Sequence, residues 1–251
     1  KWAGKTVHFA KETDSTNEWC KRMSKEGAEH GTLAVTEFQS AGKGRLGRRW
    51  TAPEGSSVMM SILLRPEFEP QYASMLTLVM GLSVAQAVKE LDVEVSIKWP
   101  NDVVVSRKKI CGILTEMSVE SESGYIQYLI IGIGINVNGQ AEDFPEDVRH
   151  IATSLAMETG KTHSRAALAA SLIRELDSMC LAWPKEKTEY LEAYRRDNIT
   201  TGKEITVVRG TEEAPAFAVA IGDDFSLRVR YADGRSEALS SGEISIKGLY
   251  H

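Results

Sequence analysis

GKGRLGRRW, residues 42–50, packs three glycines and four cationic side chains into nine residues and then runs into Thr51, Ala52 and Pro53. Gly42, Gly44 and Gly47 satisfy G-x-G-x-x-G, the spacing of a dinucleotide-binding turn. That turn follows a strand and opens a helix whose N-terminus receives the pyrophosphate. Here Pro53 and Gly55 make a turn, and the apolar run 58–64 reads as a second strand. With 33–38 as the strand before it, the loop is strung between two strands, and we reject a dinucleotide fold. Its phosphate partners would have to be the Lys43, Arg45, Arg48 and Arg49 side chains, assisted by backbone N–H groups of the glycine turns. The 251-residue chain has a formal net charge of −5, so the cationic cluster is local and reads as a site for a small polyanion. A solvated basic surface loop is the competing reading.

Outward from the loop, residues 15–27 look like a helix, with Ser15 and Glu18 in capping-box spacing, Trp19 and Met23 on one face and Gly27 as its stop. Residues 72–91 have apolar spacings of three and four and predict a long amphipathic helix. A strand meander follows through 95–99, 103–105, 110–117 and 125–137, with a charged turn at Arg107, Lys108 and Lys109. Residues 165–183 and 185–195 read as helices divided by Pro184, which suits a helix's first turn and not its middle. After about Thr200 come short strands at 204–208, 217–221, 227–231, 236–239 and 244–246, with Asp233-Gly234 as a hairpin turn. This order predicts an α+β fold with a small β-barrel appended.

Composition bounds the function. A hydrophobic fraction of 42% over 251 residues supports a full core, with room for a large domain and a small one. Cys20, Cys111 and Cys180 lie far apart with no C-x-x-C pair, so neither a disulfide framework nor a zinc site is indicated, and reduced thiols in a cytoplasmic protein are expected. No apolar run approaches the roughly 20 residues of a membrane span, and no signal peptide precedes Lys1. His8, His30, His150, His163 and His251 have no metal-ligand spacing.

Two further constellations carry chemistry. Lys98-Trp99-Pro100-Asn101-Asp102 ends a strand at Pro100 and lets Asn101 and Asp102 turn. An antiparallel return would bring Lys109 and Gly112 back across the sheet, where Gly112 marks either a close ligand approach or a bulge. In Gly132-Ile133-Gly134-Ile135-Asn136, a strand keeps only small residues on one face, which leaves room against a flat ligand.

The ordered set of Asp14-Ser15-Thr16-Asn17, Gln39, the 42–50 loop, the 98–102 run, Lys109, Gly112 and Gly134-Ile135-Asn136 resembles biotin protein ligases. The resemblance runs from about Lys5 to the C-terminus. It departs from the family pattern at Lys43 and Leu46, where arginine is common. It implies a class II synthetase-like catalytic domain over 1–198, with a mixed, largely antiparallel sheet flanked by helices, and a small SH3-like domain over 199–251. It also implies ATP- and Mg²⁺-dependent activation of biotin to biotinyl-5′-AMP, then transfer to a lysine of a biotin carboxyl carrier protein of acetyl-CoA carboxylase or a related carboxylase.

By the same resemblance, Ser15, Thr16, Asn17 and Gln39 hold the ureido ring, whose donors and acceptors need partners of both kinds. Lys43, Gly44 and Arg45 fold over biotin, beside Gly112. Lys109 contacts the acyl oxygen and the phosphate, and Asp102 is a general base or ion partner for the incoming lysine. Arg45, Arg48, Trp50, Asn101, Lys109 and Asn136 face the nucleotide, and the metal ligands stay unassigned. Arg45, Lys109 and Asp102 are the expected catalytic set. A homodimer through an edge strand is also implied.

Each residue has a plainer reading. Ser15 and Asn17 are equally readable as helix caps, Lys98 as solvated, and Trp50 and Trp99 as core or cover residues. Three rival functions stand beside the ligase: a lipoate ligase with the same fold and adenylation chemistry, a nucleic-acid-binding module, and a non-catalytic docking domain. The acidic balance and the absence of a winged-helix segment ahead of Lys5 argue against specific DNA binding. The glycine- and cation-rich 42–49 segment is expected to order on ligand binding, and the polar 138–150 segment is a second expected mobile cover.

Overall fold

Ser57–Leu64 is buried at every position, which a strand reaches only near the middle of a sheet covered on both faces. The computed structural model describes residues 5–122 and 124–249. In chain order the elements are β1 (Val7–Thr13), α1 (Thr16–Lys25), β2 (Thr32–Gln39), β3 (Ser57–Leu64), α2 (Pro70–Lys89), β4 (Ser96–Lys98), β5 (Asp102–Val105), β6 (Lys108–Val119) and β7 (Ile126–Asn136). There follow α3 (Leu155–Thr159), α4 (Arg165–Ala182), α5 (Lys187–Asp197), β8 (Glu204–Arg209), β9 (Glu212–Ile221), β10 (Leu227–Tyr231), β11 (Ser236–Leu239) and β12 (Glu243–Ile246).

Seven strands form one sheet in the order β1-β2-β3-β7-β6-β5-β4. Only the β1–β2 pair is parallel; the others are antiparallel. Successive strand residues point to opposite faces, and the burial clusters follow that alternation. Ala34, Leu63 and Ile130 pack with Cys20 and Met23 of α1. Leu33, Ile62, Leu64 and Ile131 pack into the larger core with α2 and α4. The polar start of α1 therefore lies on one face of the sheet and the main core on the other. α2 is long and apolar enough to cross a bilayer, but 71% of its apolar window is buried in this fold.

β8–β12 form a second, antiparallel sheet in the order β11-β10-β9-β8-β12. Its inward residues, such as Leu227, Val229 and Ile244, belong to the same buried cluster as the main core. Trp99 Nε1 donates to Phe225 O over 3.2 Å, and the Phe225 ring meets Trp183 and Tyr194 edge-on.

The expected mixed, largely antiparallel α+β fold is present, and Gly234 has φ 87° in the β10–β11 turn. Two elements and the first half of a third escaped the sequence reading. β1 is an edge strand exposed along most of its length, so it carries little apolar alternation. α3 has only five residues and is set by Ser154 Oγ accepting from Met157 N. β9 begins at Glu212, upstream of the expected 217, and runs through Pro215. Pro215 pairs only with Thr206, because β10 stops opposite Ala216; proline is tolerated where no donor is needed on that side. The break around Pro184 falls between α4 and α5 rather than in a first turn.

Candidate active site

The N-terminus of α1 opens onto a pocket of about 60 Å³. Its wall is a hydrogen-bonded polar cradle. Ser15 is the N-cap residue by backbone geometry, but its side chain makes no capping bond, so the expected capping box does not form. Thr16 N–H instead donates to Gln39 Oε1 at the end of β2 over 2.7 Å. Asp14 Oδ1 takes the Ser15 N–H over 2.7 Å, and Glu18 pairs with Lys21 and Lys43. Ser15, Thr16 and Asn17 are almost fully buried because Asn17 lies against the sheet at Gly132, where a Cβ would overlap its amide oxygen.

The basic loop folds over this cradle. Trp50 N–H donates to Gly42 O over 2.9 Å, Gly44 N–H donates to Arg48 O over 2.7 Å, and Lys43 bridges to Arg49 across the hairpin. Arg45–Gly47 makes a single 3₁₀ turn, so no helix follows the glycines and the rejection of a dinucleotide fold holds. Leu46 sits at φ 55°, 70% exposed, and Lys43 Nζ reaches Glu18 at 2.5 Å. The Trp50 indole lies on the register pair Gly112–Gly134. A Cβ at Gly134 would stand 2.7 Å from the ring and one at Gly112 3.4 Å. The small-residue face is thus occupied by Asn17 and Trp50, and the buried Trp50 Nε1 has no partner among the described residues.

The third wall is charged. Lys98 and Asp102 are register partners across the β4–β5 turn. Asp102 sits 2.6 Å from Lys109 and 3.8 Å from Lys98. Burial pushes the Asp102 carboxyl up, but Lys109, Lys98 and Arg45 overcome this and hold it below the usual carboxylate range. Burial drives the Lys98 ammonium down, with Asp102 opposing and Lys109 reinforcing. Lys98 is 9% exposed, so the reading of it as solvated is replaced. Lys109 is fixed through its backbone: its N–H donates to Ile151 O over 2.8 Å and its O accepts from Thr153 N over 2.9 Å. Arg45 donates to Asn101 Oδ1 over 2.7 Å and to Gly242 O over 2.9 Å, while Asn101 Nδ2 donates to Ile113 O over 2.9 Å.

The structure therefore gathers Ser15, Thr16, Asn17, Gln39, Lys43, Gly44, Arg45, Trp50, Asn101, Lys109 and Gly112 around one pocket, with Asp102 bonded to its edge. Two expected residues lie off it. Arg48 points to Glu243 on β12, and Asn136 Nδ2 donates to Thr153 O over 3.1 Å. In the 138–150 segment, expected as a mobile cover, Gln140 and Asp143 form a reciprocal capping box and the Asn138 amide pairs with the His163 backbone. Four participants were missed: Ser61 on the all-buried β3, Glu116 on β6, Glu18 as the anchor of Lys43, and Glu243. For Ser61 the available signal was a lone hydroxyl inside the apolar run 58–64.

Chemically, the pocket offers a neutral donor–acceptor cradle at one end and Arg45, Lys109 and Lys98 around the Asp102 carboxylate at the other. That suits binding a polar ring and stabilising anionic oxygens. Cys111, buried nearby, has its thiol pushed up by burial and is no nucleophile at neutral pH. Among the described residues no cluster of three His, Cys, Asp or Glu side chains could hold a metal, and Asp102 already serves the lysines.

A family model described as the biotin/lipoate A/B protein ligase family matches residues 9–136. The bifunctional ligase/repressor BirA of Bacillus subtilis (strain 168) is 41% identical over 160 residues, 63% of this chain and 49% of that protein. The chain thus spans about half the length of that relative. The biotin–[acetyl-CoA-carboxylase] ligase of Mycobacterium tuberculosis is 31% identical over 240 residues, covering 93% of this chain and 86% of that protein. The biotin protein ligase of Aquifex aeolicus, solved in complex with biotin and ATP, superposes with TM-score 0.80 and 31% identity, covering 97% of this chain and 99% of that one.

Proposed function

Since the chain belongs to the biotin/lipoate A/B protein ligase family, we propose that it activates biotin with ATP to biotinyl-5′-AMP and transfers the biotinyl group to a lysine of a biotin carboxyl carrier protein. The observation that carries this reading is the convergence of Arg45 and Lys109 on one end of a pocket whose other end is the Thr16–Asn17–Gln39 cradle. A cyclic urea needs donors and acceptors together, and joining a carboxylate to a phosphate needs cationic alignment.

In the first step a biotin carboxylate oxygen attacks the α-phosphorus of ATP and pyrophosphate leaves. Arg45 and Lys109 neutralise the oxygens brought together. In the second, the carrier lysine gives up its ammonium proton to water, the resulting amine attacks the acyl carbon, the C–O bond to AMP breaks with AMP leaving as the anion, and the surplus proton on the new amide nitrogen passes to water. Asp102, held ionised between two lysines, acts as an ion partner that orients Lys109 and receives the incoming ammonium. Mg²⁺ is expected to arrive on the phosphates of ATP, where it neutralises charge; no step is assigned to it through the protein.

A second cavity, of about 270 Å³, meets the first at Arg45 and is lined by Thr77, Pro100, Thr115, Met117 and Ser240. β5 pairs with β6 only as far as Gly112, so from Thr115 onward β6 presents an open edge beside that cavity. This supports docking of the carrier, or of a second copy, along this edge. The name of the M. tuberculosis relative supports acetyl-CoA carboxylase as the source of the carrier. We assign 1–198 as the catalytic domain and 199–251 as a small SH3-like domain, in a cytoplasmic enzyme.

The test is biotin-dependent exchange of labelled pyrophosphate into ATP with no carrier present. Exchange with biotin and none with lipoate is expected. Arg45→Ala and Lys109→Ala should each lower the rate on the order of 10²-fold. Exchange with lipoate alone would transfer the chain to the sister activity, and exchange with neither would sink the reading.

A further inference from the structure

Behind the cradle, Ser61 is fully buried on β3, opposite Gly132 in register. Its Oγ lies 2.7 Å from Thr16 Oγ1 and 2.6 Å from Asn17 Oδ1. A hydroxyl has one proton, so Ser61 donates to only one of them. The direction follows from Asn17, whose Nδ2 donates to Glu116 Oε2 over 2.8 Å and to Leu114 O over 3.3 Å. Both are pure acceptors, since Lys21 Nζ sits 2.7 Å from Glu116 Oε1 and keeps the carboxylate paired. A reversed amide would set oxygen against oxygen. Asn17 Oδ1 therefore faces Ser61, has no proton of its own, and must receive the Ser61 proton. The 2.7 Å contact between Ser61 and Thr16 is then bridged only by the Thr16 proton. Gln39 Oε1 takes the Thr16 backbone N–H over 2.7 Å; it also stands 3.1 Å from Thr16 Oγ1, a longer reach than the 2.7 Å to Ser61, so the shorter contact keeps the Thr16 proton.

We infer that Ser61 is a specificity-determining positioning residue: through the chain Thr16→Ser61→Asn17, oriented by Glu116, it leaves Thr16 Oγ1 as a hydrogen-bond acceptor on the pocket wall, so that the site selects a ring presenting an N–H there. This rests on the biotin reading given above and adds to it the polarity of recognition. A ligand with a lone pair at that point meets oxygen against oxygen, because the Thr16 proton is committed to a buried partner. The network is closed at its far end by the Lys21–Glu116 and Lys21–Glu18 pairs, so its direction is set by ionised groups on α1 and β6, not by the ligand.

The experiment is calorimetric binding of biotin, and of the two cyclic carbamate analogues in which one or the other ring N–H is replaced by oxygen, to the full chain and its Ser61→Ala variant. Native chain should bind biotin and reject one carbamate by at least about tenfold more than Ser61→Ala does, since the freed Thr16 hydroxyl can turn to donate to the ring oxygen. Ser61→Ala should also weaken biotin by about tenfold, with KM for biotin in pyrophosphate exchange rising much more than kcat falls. Ser61→Cys, of similar volume with a weaker donor, should be intermediate, and it stands in if the alanine variant does not fold. Biotin affinity within twofold of native in both variants would overturn the inference. So would weakened biotin binding with an unchanged carbamate penalty, which marks a loss of packing alone. Absence of biotin binding by the native chain would overturn the ligase reading instead.

Discussion

Asp102 decides the electrostatics of the site because its carboxylate lies between Lys98 and Lys109. Remove it and two ammonium groups are left facing each other at low exposure. Breaking a buried pair by deleting one partner costs about 3–5 kcal/mol; Lys109 retains 27% side-chain exposure, so Asp102→Asn should cost about 2–3 kcal/mol. The pH dependence fixes the sign. The folded carboxyl titrates below its unfolded value, which is about 3.9. Its contribution is therefore complete above that value and is lost as pH falls through the folded one. The difference in unfolding free energy between native chain and Asp102→Asn should be level from neutral pH down to about 5 and shrink below about 4. Urea melts at closely spaced pH values would reveal this; a difference that grows toward acid would contradict the ion-pair role.

At the scale of elements, the basic loop is closed from two sides. Arg48 reaches Glu243 of β12 and Arg45 reaches Gly242 O, while Lys43 is tied to Glu18 of α1. The pocket beneath is about 60 Å³, short of the roughly 300 Å³ or more of ligand sites, so the loop is expected to lift when a ligand enters. Arg48 is 67% exposed on its side chain, so its pair is worth at most ~1 kcal/mol. Glu243→Gln should accordingly raise tryptic cleavage at Lys43–Arg49 about fivefold in the absence of ligand. Saturating biotin and ATP should protect both proteins alike. Equal cleavage of the two unliganded forms would mean that β12 does not restrain the loop. These closures were not legible in the sequence. The glycines announced a turn and a small-residue face, and the 98–112 meander announced the return of Lys109, because turn chemistry and period-2 alternation are local. That Trp50 and Asn17 fill the face, or that Glu243 some 195 residues away holds Arg48, depends on contacts no local pattern encodes. Ser61 was hidden for the same reason, since in a strand buried on both faces the sequence does not distinguish the side toward α1 from the side toward α2.

For the whole molecule, the question is whether the second sheet is an appendage or part of one cooperative unit. Its inward face and the α2 side of the main sheet form one continuous buried cluster, and the junction is aromatic. Phe225 stands 5.9 Å from Trp183 and 5.7 Å from Tyr194 by ring centroids, and its carbonyl accepts the Trp99 indole N–H. Phe225 also sits at φ 60°, a conformation a bulky side chain adopts only when the surroundings impose it, at a cost of order 1 kcal/mol. Packing must offset that cost, and the contacts that do so run across the junction. Removing the ring while keeping the backbone strained should then destabilise both sheets together. Phe225→Ala is expected to cost about 3–5 kcal/mol and to leave a single thermal transition, because Trp99 and Trp183 lose cover on the catalytic side as the small sheet loosens. Indole fluorescence and calorimetry should move at one temperature. Two separated transitions in the variant, with biotin binding kept through the first, would instead make the small sheet an independent unit linked to the chemistry through the Glu243–Arg48 and Gly242–Arg45 contacts.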